Sequence, residues 1–377
     1  KLKMIMPEEC KPQETIVFFD EIQNCPEIVT KIKFLVEEGS FKYVMSGSLL
    51  GVELRGMASV PVGYLTVLRM YPMDFEEFMI ANNVSKMTLE MLKEKFETRQ
   101  PVDEFIHQKL LALFFIYLIV GGMPDAVKTY IVTKDIREVD KVQRDIVMLY
   151  KEDFSQYESE DKKLKLISIY DIIPAELNKQ NKKFVFTMLD KELKFDRYEN
   201  SFLWLKDAGV ALPVYNVEAL VIPLKASKTS NVFRLFSNDT GLLTCAYPAE
   251  TKIELINKNS EVNNGAHFEN AVAQQLVANG LEPYFCKKKN IGELDVVIEM
   301  GGKVVPIEVK SGKTYKAHKA LDNFMNIPDY HIEKAYVLSV ANVEQEGAVV
   351  YLPIYMCYLL KERKIEKLIV DLDMEGL

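Results

Sequence analysis

Two stretches of this 377-residue sequence hold acidic, hydroxyl and lysine side chains at spacings that suit phosphate chemistry. The first is the short apolar run Ile16-Val17-Phe18-Phe19, which ends in Asp20-Glu21. At the carboxyl end of a parallel strand buried on both faces, both acids project into the ligand crevice of the sheet. There Asp20 can hold Mg2+ through water, and Glu21 can orient and deprotonate an attacking water, as a nucleotide hydrolase requires. Residues 41–48 read as a second buried strand that ends in Ser46-Gly47-Ser48. Its hydroxyls, Ser46 and Ser48, fall beside the same crevice, where they can sense a terminal phosphate. Acidic residues at a strand's end also serve simply to cap a following helix.

The second stretch is a hairpin. Gly301-Gly302 is a strong two-residue turn between two strand-like runs, Glu293–Met300 and Lys303–Lys310. Pairing Met300 with Lys303 sets Asp295 opposite Glu308 and Glu293 opposite Lys310, all on one face because side chains alternate with period two. Opposed carboxylates repel one another. A divalent cation with oxygen ligands offsets that repulsion, so the pair reads as a carboxylate site facing away from the core. An ordinary Glu293–Lys310 ion pair with a solvated lysine face is the plainer alternative.

The elements that must carry these groups follow from periodicity and breakers. A helix is expected from Pro26 to Glu38, stopped by Gly39, and a mainly helical region from Met73 to about Glu160 with breaks near Pro101 and Gly121-Gly122. The longest apolar run, Leu110–Val120, has eleven residues. A membrane span needs roughly 17–25, so this is a buried core helix. Residues 202–208 suggest an amphipathic helix with Trp204 packed inside. Val210–Val217 and Ala219–Leu224 follow as two strands, the outline of a winged helix. Gly265–Asn279 reads as a helix ended by Gly280.

Lys plus Arg number 47 and Asp plus Glu 55, for a net charge of −8, which argues against a polybasic nucleic-acid coat. Glu282–Ala320 nevertheless holds eight lysines against five acids, and Lys287-Lys288-Lys289 can reach phosphates. Five unclustered cysteines argue against a disulfide framework or a Cys-type zinc site and favour the cytoplasm. His107, His267, His318 and His331 lack metal-ligand spacing. Arg55 and Arg69 could serve as trans-acting arginines but read better as solvated surface, and the run Lys179–Lys183 reads as a DNA contact or, at least equally, an exposed turn.

Taken in order, TIVFFDEIQNCP, YVMSGSLLG, MYPMDFEEF, GGMPDAV, YKEDFSQY, YENSFLWLKDAGV and GELDVVIEMGGKVVPIEVKSG resemble a family of prokaryotic AAA+-type ATPases, described as ATP-binding proteins with a C-terminal domain of unknown function. The resemblance covers essentially the whole chain. It implies an α/β and α+β multidomain protein. Residues 1–80 would be part of a P-loop NTPase core, 81–160 a helical lid, 161–230 a winged helix and 231–377 a PD-(D/E)XK nuclease-like domain. Asp20-Glu21 falls at the Walker B element and Ser46–Ser48 at a sensor, with ATP and Mg2+ as cofactors. In the nuclease pattern Asp295 and Glu308 would hold Mg2+, with Glu269 assisting from its helix, and Lys310 would orient or activate water. Leu294 replaces the proline that usually precedes the aspartate.

For the intact protein the resemblance implies ATP binding and slow hydrolysis, with the C-terminal half serving DNA or protein partners and no membrane. Two rivals stay open: a Mg2+-dependent nuclease regulated by the ATPase part, and a non-enzymatic protein-interaction switch. One departure stands out, since no GxxxxGK[ST] loop occurs in the sequence. The expectation is that the chain starts just ahead of the Walker B strand, with the phosphate loop upstream of Lys1. That loop's backbone and lysine grip the phosphates, and no general base replaces them. These 377 residues alone should therefore bind Mg-ATP weakly or not at all. Isothermal titration showing micromolar affinity would contradict this.

Overall fold

The computed structural model describes residues 11, 13–47, 63–156, 160–179, 184, 199–257 and 264–362. Strands β1 (Ile16–Phe19) and β2 (Lys42–Met45) pair in parallel, from Ile16 opposite Lys42 to Phe19 opposite Met45. The helix Glu27–Glu38 connects them and ends at Gly39, whose φ of 71° suits glycine. Val17, Val29 and Ile32 are buried, whereas Ile16, Phe18 and Val44 stay exposed. The expectation that β1 is covered on both faces is thus corrected. Among the described residues the sheet has two strands, and one helix covers only one face.

Among the described residues seven helices follow before the next strand: Phe75–Ala81, Lys86–Thr98, Glu104–Val120, Pro124–Thr133, Ile136–Gln156, Glu160–Asn178 and Glu199–Asp207. The MDFEEF motif is a capping box, in which Asp74 accepts from Glu77 N at 2.9 Å and Asp74 N donates to Glu77 Oε2 at 2.9 Å. Ser85 and Asp103 cap the next two helices by the same chemistry. The apolar run Leu110–Val120 forms the buried helix expected of it.

The remaining strands are β3 (Ala211–Val217), β4 (Lys228–Ser237), β5 (Tyr284–Lys288), β6 (Gly292–Met300), β7 (Lys303–Val309), β8 (Ala335–Ser339), β9 (Glu344–Glu346) and β10 (Val349–Pro353). They form one mixed sheet in the order β4-β3-β5-β6-β7-β8-β10-β9. Alternation divides its side chains between two cores. Tyr336, Leu338, Val350 and Leu352 join the helical region, while Ala335, Val337, Val349 and Tyr351 face the other way. Phe96 from the helical region stacks on Tyr336 of the sheet at 6.4 Å. Helical region and sheet therefore share one core.

Two expectations change here. Residues 219–224 form no strand: the connection includes Pro223, which lacks an N–H, and turns through a 3-10 segment at Leu224–Ser227. The strand that pairs with β3 is β4, and β3 in turn runs parallel to β5, so both belong to the large sheet. The boundary expected between residues 230 and 231 falls inside β4.

The helical region and the sheet are tied together by a buried carboxylate. Asp239 Oδ2 accepts from Gly122 N at 2.6 Å, and Oδ1 accepts from Leu242 N at 2.9 Å, capping the helix Thr240–Cys245. Gln274 on the helix Gly265–Ala278 accepts from Thr240 N and donates to Tyr117 Oη, which donates to Met73 O. Met73 N closes the ring by donating to Gly122 O at 2.8 Å. Side chains could not enter this crossing. A Cβ on Gly121 would lie 2.1 Å from Asp239 Oδ1, and one on Gly122 would lie 2.0 Å from Met73 O.

Burial raises the pKa of Asp239 to about 6, against the pull of its backbone donors. The folded state thus holds this proton more tightly than the unfolded chain. Its contribution is full below the unfolded value near 4 and is lost as pH rises through about 6. Asp239→Asn should cost about 1–3 kcal/mol, since its amide would face one of the two N–H donors. The wild type's advantage should shrink by about 1 kcal/mol between roughly pH 5 and pH 7.5, read by urea unfolding at both. An advantage that grows with pH would contradict the assignment.

Candidate functional site

At the carboxyl ends of β1 and β2 one predicted acid, Asp20, meets the predicted hydroxyl of Ser46, and Glu21 follows in the same turn. Ser46 Oγ donates to Asp20 Oδ1, and the backbone closes the contact: Ser46 N donates to Phe19 O at 2.9 Å and Ile22 N to Ser46 O at 2.9 Å. Glu21 sits in the left-handed region at φ 50°, an uncommon conformation for a residue with a side chain. Its carboxylate accepts from Gln23 Nε2. Gly47 is pressed against the same turn, and a Cβ there would lie 2.6 Å from Gln23 Oε1. The donors are all oxygen, which suits Mg2+. Ser48 and Arg55 lie outside the described residues. Asp153, within the YKEDFSQY motif, was not singled out by sequence. Its carboxyl is held above the usual range by burial, then by the charges of Glu152 and Glu21.

The second cluster centres on the β6–β7 hairpin, whose register is the one the two-glycine turn sets: Met300 opposite Lys303 and Val296 opposite Ile307. Asp295 Oδ2 accepts from Val309 N at 3.1 Å. Lys310 Nζ pairs with Glu308 Oε1 at 2.7 Å, and Glu308 Oε2 is buried without a partner. Burial first, and the charge of Asp295 second, push Glu308 up to about 7, while Lys310 draws it down. Burial works against the Lys310 ammonium, but Glu308 holds it above its usual range. Two expectations are corrected. Glu308 is 5% exposed and packs inward. Glu293 does not meet Lys310: the β6–β7 pairing ends at Val296 opposite Ile307, and Glu293 pairs instead with Arg234 and Lys287.

Arg234 on β4 is the residue that sequence reasoning missed. It is 2% exposed. Its Nη1 donates to Glu269 Oε2 at 3.4 Å and to the backbone oxygen of Asp295 at 3.1 Å, and Nη2 donates to Glu293 Oε1. The guanidinium lies 4.6 Å from the ring centroid of Phe285. Lys287 adds a 2.6 Å pair with Glu293. The available signal was a charged residue inside the apolar run VFRLF of a strand covered on both faces. Among the described residues no three His, Cys, Asp or Glu side chains are grouped so as to hold a metal ion.

Of the other residues weighed from sequence, Arg69 and His331 are exposed and the following are packed. Trp204 is buried and meets Phe154 edge-on at 5.3 Å. His267 is buried on Tyr247, and burial lowers its pKa to about 4. His107 and His318 bond to Tyr355 and Tyr351. Lys288 donates to Tyr330.

Comparison with protein families gives three matches. Residues 2–79 match an AAA domain. Residues 111–253 match a domain of unknown function, DUF8612, and residues 264–356 match another, DUF4143. The first and last of these support an AAA-type ATPase family with a C-terminal domain of unknown function. The AAA match contains both strands of the Asp20–Ser46 site. DUF8612 takes in most of the helical region with β3 and β4, and DUF4143 carries the β6–β7 hairpin. No curated protein and no solved structure matches the chain. Among the described residues no helix is long and apolar enough to cross a membrane.

Because Asp295 is the largest charge raising Glu308, Asp295→Asn should return Glu308 toward the ordinary carboxylate range. Asn keeps an oxygen for Val309 N, so the hairpin should persist. A side-chain carbon-13 titration of Glu308 reads this directly. An unmoved midpoint in the variant would leave burial as the whole cause.

Proposed function

We propose that the chain carries the carboxylate side of a nucleotide site and that the intact protein binds ATP with Mg2+ and hydrolyses it slowly. The observation that carries this reading is the Ser46–Asp20 hydrogen bond across two parallel strand ends, inside the AAA match. Asp20 would hold Mg2+ through water, and Ser46 would report the terminal phosphate through the bond it already makes. Glu21 would orient and deprotonate the attacking water, its left-handed backbone turning the side chain out of the strand direction. Mg2+ when bound would neutralise phosphate charge. Ser48 keeps the sensor role assigned from sequence.

The C-terminal half serves as an interaction module for a protein partner in preference to nucleic acid. Two of the three lysines in the 287–289 run are already engaged within the fold, Lys287 with Glu293 and Lys288 with Tyr330. Binding to DNA that weakens steeply between about 50 and 200 mM salt would reverse that preference.

In protein made from its complete reading frame, Glu21→Gln should leave ATP binding intact and slow hydrolysis by about 10²-fold or more, the range for a lost general base. Equal hydrolysis in wild type and variant would remove Glu21 from the chemistry. Loss of binding would make its role structural.

A further inference from the structure

The hairpin acids meet a second constraint that a divalent metal would have to overcome. Glu269 and Asp295 are the two carboxylate residues shared between the Arg234 contacts and the Glu308–Lys310 pair. On one side, Arg234 Nη1 lies 3.4 Å from Glu269 Oε2 and 3.1 Å from Asp295 O. On the other, Lys310 covers Glu308 at 2.7 Å. We infer that Arg234 is the resident cation of this cluster, held by the Glu269 and Glu293 carboxylates and the backbone oxygen of Asp295, and that the C-terminal domain works without a divalent metal.

Charge supports the assignment. Glu269 and Glu293 pair with Arg234, Glu293 also with Lys287, and Glu308 with Lys310. A divalent ion added beside these cations would bring further positive charge into a buried setting, where an unbalanced charge is costly. Removing Arg234 takes one buried positive charge away from Glu269 and Glu293, which a divalent ion can replace. Geometry agrees, because the guanidinium is planar, stacked on Phe285 and forked between Glu269 and Glu293, so it cannot swing aside without breaking both pairs. Among the described residues, moreover, no three His, Cys, Asp or Glu side chains converge so as to hold a metal. Arg234 thereby fastens β4 to the helix Gly265–Ala278 and to β6.

The test uses the full chain with Mn2+ as the probe. In wild type, about 1 mM Mn2+ should leave the melting temperature within roughly 1 °C and leave the six-line electron paramagnetic resonance signal of free Mn2+ undiminished by any Asp295-dependent component. Arg234→Met should melt lower in the absence of metal. It should regain about 2 °C or more with Mn2+, and a second change, Glu269→Gln, should abolish the gain. A wild-type rise that Asp295→Asn removes would overturn the inference. So would a folded Arg234→Met protein that Mn2+ does not stabilise. Should that variant fail to fold, the wild-type resonance measurement decides alone, because a metal bound through Asp295 in the presence of Arg234 contradicts the assignment outright.

Discussion

Asp239 holds a carboxylate where water cannot reach it, and its two oxygens accept backbone N–H groups from two separate segments, Gly122 and Leu242. Desolvating such a group is expensive unless its lone pairs are satisfied, so both segments are required at fixed positions. The rest of the crossing follows from that demand. The last carbonyls of the helix Glu104–Val120 have no partner within their own helix. They are met by Thr244 on Leu118 O and by Gln143 on Ile119 O and Val120 O. Glycine at 121, 122 and 241 lets the backbones approach closely enough for these bonds to form. The helical region is docked to the strands of the large sheet by this one anchored point as much as by shared apolar surface.

A second buried cluster solves the same electrostatic problem by other means. Around the β6–β7 hairpin the acids are met by side-chain cations, chiefly Arg234 and Lys310. Backbone donors cannot move, whereas guanidinium and ammonium groups can be exchanged for other cations by mutation. The hairpin site is therefore the more adjustable of the two. Its integrity depends on β4, an edge strand distant in sequence from the hairpin.

The N-terminal pair is a smaller construction. Two parallel strands and one helix bury Val17, Val29 and Ile32 but leave Ile16, Phe18 and Val44 in solvent. What that pair does secure is the local geometry at its carboxyl end. Ser46 is held by backbone bonds to Phe19 and Ile22, so its hydroxyl meets Asp20 without depending on the wider fold.

Local chemistry alone determined a good deal of this protein. The Asp20-Glu21 strand end, the Pro26–Glu38 helix, the breaks near Pro101 and Gly121-Gly122, the core helix at Leu110–Val120 and the hairpin register from Gly301-Gly302 all rest on interactions between near neighbours in sequence. For the same reason Trp204 was legible as core, since its helix is amphipathic and stopped by Gly209. The partner of β3 was not legible, because 219–224 has strand-like composition but is interrupted by Pro223, and the true partner is chosen by long-range packing of Phe233, Leu235 and Phe236. The hydrogen bonds that Lys287 N and Val309 N donate to the side chains of Asn216 and Asp295 likewise show nothing in composition. Asp239 looked like one more loop acid, and Arg234 like one basic residue in an apolar run. Their roles exist only once segments more than a hundred residues apart for Asp239 and Gly122, and some sixty for Arg234 and Asp295, are brought together. A buried charge is decided by what surrounds it in space, and tertiary packing alone supplies those surroundings.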